Sequence, residues 1–307
     1  MKAAMKAKTL KAGERIGPRQ QHNWDWRAAS NFIAGGAGGG LLFFAALASL
    51  AGTDVRALLL GGMALIGAGL TCVWFEIGKP WRALNVYRHL ATSWMTREAA
   101  VAPLVFVCGA LALLTGHNLF VLLTGVFGAA FVYAQARILS ADKGIPAWRH
   151  ARCRPMLVAT GFAEGAALVA VAAPFVITSA AGQIAVAAVT LGLLLIRVLL
   201  WRSYLAGLRA DGAPEGSLRA LGAVDGQFLK FGNLVPAALL LLAALGAPLA
   251  GLALIPAGLI AVGGGWLVKY TLVRRAAFTQ GFALPHLPVR GRGPAGAAVK
   301  PGWGGAS

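Results

Sequence analysis

An all-α polytopic membrane protein with eight transmembrane helices is the fold class this sequence predicts, and three observations carry it. Hydrophobic residues make up 58% of the 307, and charged residues only 12%, about half the ~25% of a soluble domain. Apolar runs of about 20 residues, the length that crosses a bilayer, recur from end to end. The mean hydropathy is +0.70. A soluble enzyme is excluded, and so is a transmembrane barrel, whose ~10-residue strands alternate polar and apolar. The first thirty residues are basic and lack an apolar stretch followed by a small-residue cleavage site, so no cleaved signal peptide is expected.

The spans fall at 32–51, 57–75, 99–116, 118–139, 156–178, 184–205, 230–247 and 250–271, the last two divided only at Gly246-Ala247-Pro248. Two four-helix bundles are expected. A basic N-terminal arm (1–31) precedes the membrane domain (32–275), and a Gly/Pro-rich tail (276–307) follows it, expected to be disordered beyond Arg290. The run Gly35-Gly36-Ala37-Gly38-Gly39-Gly40 and the pair Gly61-Gly62 allow helices to approach closely.

Net charge is +18, and 27 of the 28 basic residues fall on one side of this span map; only Arg56 lies on the other. In a soluble protein such a charge points to nucleic acid. Here it flanks the spans, so it reports orientation, with both termini and the three longer loops in the cytoplasm. Trp24, Trp26, Trp74, Trp81, Trp94, Trp148, Trp201 and Trp266 fall at the same edge with Tyr87, Tyr133, Tyr204 and Tyr270, a one-sided aromatic belt that marks the working face.

The stretch richest in chemistry joins spans two and three: Glu76-Ile77-Gly78-Lys79-Pro80-Trp81-Arg82-Ala83-Leu84, then Ser93-Trp94-Met95-Thr96-Arg97-Glu98. Pro80 at a helix start, with Trp81, Leu84, Val86, Tyr87 and Leu90 on one face, predicts a short interfacial helix. A quinone head group there needs donors for its carbonyl oxygens and groups that exchange protons. Lys79, Trp81, Arg82, Trp94 and Arg97 are the candidates that hold it, and Glu76 and Glu98 can relay protons. The same residues can also lock the loop through interfacial ion pairs.

The pattern GKPWRA…SWMTRE resembles the HLGxPxRA…SWLSRE signature of the DmsC/NrfD/PsrC family. The resemblance implies an eight-helix anchor subunit in a bacterial inner membrane. Such a subunit exchanges electrons between quinone (menaquinone or ubiquinone) and the iron–sulfur subunit of a molybdopterin oxidoreductase. It places the family's quinol-site His, Arg and Glu on Glu76, Arg82 and Glu98, with the His replaced by Glu76. The tail Arg274–Phe282 and the arm His22–Trp26 further resemble the membrane subunits of phenylacetyl-CoA:acceptor oxidoreductase; sulfite dehydrogenase anchors are similar. Both groups imply a catalytic partner on the cytoplasmic face.

Glu164 and Arg197 lie inside spans, where a charge is costly unless paired or facing water, so they form either a static pair or a proton path. Tyr133, Gln135 and Arg137 at the end of span four, and His22 and Asn23 before span one, are candidates to complete the pocket. No haem and no metal is expected in this chain. All five histidines lie outside the spans, and the three cysteines form no paired motif. A small-molecule or proton-coupled transporter with Glu164 and Arg197 at its centre is the alternative, although no inverted repeat is apparent.

Overall fold

Because a backbone in hydrocarbon must satisfy its own hydrogen bonds, each long apolar stretch closes into a helix. The computed structural model describes residues 17–77, 80–245 and 250–281, with only the backbone described for 80–82 and 250. The N-terminal sixteen residues and the tail beyond 281 lie outside it, as does the expected disorder past Arg290. Among the described residues eight helices are long and apolar enough to span a membrane: α1 Trp26–Leu50, α2 Arg56–Trp74, α3 Trp94–Thr115, α4 Asn118–Ala141, α5 Cys153–Val176, α6 Ala180–Ala210, α7 Glu215–Ala244 and α8 Gly251–Arg275.

Side-chain caps set several of the starts. Asp25 Oδ1 accepts from the Arg27 amide at 2.7 Å, and Ser179 Oγ accepts from the Gly182 amide at 3.2 Å. α3 ends on Gly116, whose φ of +68° is the left-handed conformation glycine adopts freely. Several helices outrun their apolar runs, α1 and α7 the furthest at their starts. α1 starts at Trp26, and α7 starts at Glu215, well before residue 230. The early turns of α7 carry Glu215, Arg219 and Asp225, which lower their hydropathy. They stay helical because Leu221, Val224 and Phe228 bury one face. The expected interfacial helix is a 3₁₀ helix, Pro80–His89. Its three-residue turn aligns Leu84, Tyr87 and Leu90 in one exposed apolar row.

α1–α4 and α5–α8 form two four-helix groups with separate apolar cores, joined chiefly along α1 and α5. Glycine makes that joint possible: a Cβ on Gly165 would lie 2.1 Å from the Gly40 carbonyl carbon. A third core gathers at the end that carries both described termini, here called the basic end. Three residues expected in the aromatic belt belong to this core. Trp148, Trp201 and Tyr204 are fully buried, because their polar atoms find protein acceptors: Leu272 O at 2.9 Å, Asp225 Oδ1 at 2.7 Å and Ala147 O at 2.7 Å, respectively. Across this end the arm and the chain after α8 pair. The Gln21 amide donates to Ala277 O (2.8 Å), and the Thr279 amide to Arg19 O (2.7 Å). This clasp fixes Trp24 against the bundle, stacked on Phe32 and Trp148.

Candidate functional site

Ser93 caps α3, its hydroxyl accepting from the Thr96 amide, and the first turn of that helix carries Glu98 inward. Glu98 is buried between α1 and α4. Asn31 Nδ2 and Gln135 Nε2 both donate to its Oε1 at 3.1 Å, and Gln135 Nε2 also reaches Asn31 O at 2.9 Å. Two neutral amides therefore hold one carboxyl oxygen. Glu98 also lines a cavity of about 70 Å³ together with Trp24, Asn31, Val73, Glu76 and Met95. A space of this size holds a few waters.

Glu76 lines the same cavity, from the turn after α2. Arg27 Nη1 holds that turn by donating to Phe75 O at 2.8 Å, while the same guanidinium pairs with Asp25 at 2.8 Å. Partial burial pushes the Glu76 carboxyl above the usual range; the Asp25 charge adds to this, and Arg27 offsets it in part. The structure thus brings Glu76 and Glu98, 22 positions apart in the chain, to one water-sized space. A carboxyl pair so placed can pass protons between the bundle interior and the basic end.

The other predicted residues divide. Trp94, Arg97, Tyr133 and Arg137 form a separate cluster. The guanidiniums of Arg97 and Arg137 lie 4.2 and 4.3 Å from the Trp94 ring centroid, Tyr133 packs edge-on to that ring, and Arg137 donates to the Tyr133 hydroxyl at 3.1 Å. Arg97 spends its donors on Leu90 O (3.1 Å) and Ala91 O (2.7 Å), tying down the loop that follows the 3₁₀ helix. His22 and Asn23 are exposed; the arm residue at the cavity is Trp24. Lys79 lies outside the described residues, as do the side chains of Trp81 and Arg82.

The expected Glu164–Arg197 pair does not form. Glu164 Oε2 meets Lys269 Nζ at 2.5 Å, both groups fully enclosed by α1, α5 and α8. Arg197 turns to α7 and α8 instead: Nε donates to Asn233 Oδ1 (2.9 Å), Nη1 to Ala261 O (3.1 Å) and Nη2 to Gly232 O. The cause lies in α7. Its π turn, Lys230–Leu234, buries Gly232 and Asn233 against α6 and α8, and their oxygens satisfy the guanidinium. Gly265 leaves the space Glu164 fills, since a Cβ there would be 2.1 Å from Oε1. On α1, Gly36 does the same for two groups at once: a Cβ there would lie 2.4 Å from Lys269 Nζ and 3.6 Å from Gln135 Oε1. The Glu98 and Glu164 sites therefore share one wall.

Asn31, Lys269 and Asn233 carry no site signal in the sequence, and Trp24 stands there only as one residue of the aromatic belt and the arm. Asn31 and Lys269 are polar residues at the margins of apolar runs, and Lys269 reads as one more cation of the basic end. Their burial depends on which helices become neighbours.

The sequence profile of the DMSO reductase anchor subunit (DmsC) family matches residues 31–200, more than half of the chain. No curated protein matches the chain. The chain belongs to the DmsC family of membrane anchor subunits.

Proposed function

We propose that this DmsC-type anchor exchanges electrons between an iron–sulfur subunit docked on its basic end and membrane quinone, menaquinone or ubiquinone, with the head group bound over the Glu76–Glu98 cavity. The observation that carries this reading is Glu98, a buried carboxyl gripped by two amides on one oxygen and lining a cavity that holds a few waters. A bound quinone supplies two-electron chemistry that takes up or releases two protons. The cavity is too small for the ring, so it acts as the proton-exchanging floor beneath it. Asn31 and Gln135 hold Glu98 at this exchange space, and Glu76 passes protons onward to water at the basic end. The sequence adds Arg82, Lys79 and Trp81 as donors to the carbonyl oxygens. A guanidinium suits that task because its planar fork stays charged.

The one-sided charge map supports an orientation with the basic end and both termini in the cytoplasm of a bacterial inner membrane. A molybdopterin catalytic subunit and its iron–sulfur partner then dock there. With a dehydrogenase as the catalytic subunit, electrons run from a cytoplasmic substrate to quinone. Reporters fused at the C-terminus and within 79–97 should both read cytoplasmic, and an external signal from either overturns the orientation.

The site itself is tested with Arg82→Leu. In membranes with matched subunit content, quinone-linked turnover should fall at least tenfold while soluble-dye reduction through the catalytic subunits holds. That loss equals about 1.4 kcal/mol of barrier, within reach of one charge-assisted hydrogen bond. Quinone turnover within about twofold of wild type would remove Arg82 from the site.

A further inference from the structure

Lys230 of α7 sits between two large apolar residues, Leu229 and Phe231, and its side chain is exposed. Among the described residues no carboxylate lies within ion-pair reach of it. An ammonium at the edge of the hydrocarbon is costly unless it reaches an anion or water. Beside it, between α6 and α7, runs a groove of about 730 Å³. Among the described residues, Lys230 and Asn233 are the only polar ones in its lining; the rest are Leu, Val, Ala and Gly. On α6 the lining extends from Ala188 to Val198. At 1.5 Å per residue that is about 15 Å, the depth of one leaflet's hydrocarbon.

The groove is built by local structure. The π turn of α7 turns Asn233 inward, where its amide donates to Phe228 O at 2.7 Å and its oxygen receives Arg197. The polar atoms of Asn233 are thus committed to the protein, and the groove wall they leave is apolar. Gly192 adds depth on α6, since a Cβ there would meet nothing within 4 Å. Directly behind Asn233 stands Arg197, whose hydrogen-bond partners are all neutral. Its charge adds to that of Lys230, so the wall is positive at the basic end and apolar beyond.

We propose that this groove binds one anionic phospholipid of the leaflet at the basic end, its phosphodiester on Lys230 and an acyl chain laid along Leu195, Val198 and Leu234. A basic side chain at the mouth of a cleft between spans is the arrangement that retains acidic head groups. A neutral lipid fills the same groove but gains nothing from Lys230.

The full chain, purified in mild detergent with equal phosphatidylglycerol and phosphatidylcholine, is measured by native mass spectrometry. Phosphatidylglycerol should be retained several-fold over phosphatidylcholine. Lys230→Gln should cut that preference about fivefold, the worth of one lysine near an anionic surface. Gly192→Leu, which adds a side chain into open groove, should lower retention of both lipids while the spans stay intact. Equal retention by the unaltered protein would make the groove ordinary annular surface. So would a preference that survives both substitutions. Release of quinone rather than phospholipid by Gly192→Leu would assign the groove to a quinone tail and overturn the proposal.

Discussion

Replacing Lys269 by Met should remove a large part of this protein's stability. The Glu164–Lys269 contact at 2.5 Å is enclosed on every side, and Glu164 Oε1 already has no hydrogen-bond partner. Removing the ammonium leaves a carboxyl with neither oxygen satisfied, at a cost of about 3–5 kcal/mol. The folded yield from membranes and the midpoint of thermal unfolding should both drop. Glu164→Gln/Lys269→Met should recover most of the loss, because no charge is then stranded. Glu164→Ala/Arg197→Ala should show no such rescue. Arg197 bonds Asn233 and two carbonyls rather than Glu164, so the two costs add. Rescue in that second pair, and none in the first, would reassign the ion pair to Arg197.

The other large effect falls on turnover. Glu98→Gln keeps the shape of the side chain and an oxygen for Asn31 and Gln135 to bond, so the bundle should assemble normally. What it removes is the proton. General acid–base groups contribute about 10²–10⁴-fold, so quinone-linked turnover should fall by at least tenfold, or about 1.4 kcal/mol. Dye reduction by the catalytic subunits should be unchanged. Parallel loss of both activities would mean that Glu98 holds the anchor together instead, and undiminished quinone turnover would exclude it as the proton carrier.

Much of the architecture was legible in the chain because hydrocarbon imposes a one-dimensional rule: about 20 apolar residues make a span wherever they occur. Eight spans emerge from the placing of apolar runs along the chain, and the glycines of α1 announce close approach before its partners are known. The errors cluster where that rule stops. The amphipathic start of α7 is helical through contacts with buried neighbours, which hydropathy averages away. Trp148, Trp201 and Tyr204 look interfacial by position, yet lie in a core because acceptors on distant segments satisfy them.

The candidate site divides in the same way. Glu76 and Glu98 stand out in sequence as carboxylates at span ends, and their motif carries the family resemblance. Span order and length, the basic asymmetry and this motif are properties of the chain by itself. Which polar groups meet is decided only in three dimensions. Asn31 and Gln135, far apart in the chain, close on one oxygen of Glu98, and Glu164 passes over Arg197 for Lys269. The physical reason is that a buried charge takes whichever partner the helix packing brings within hydrogen-bonding distance. That packing is set by glycine contacts and by a π turn, neither of which leaves a mark in hydropathy.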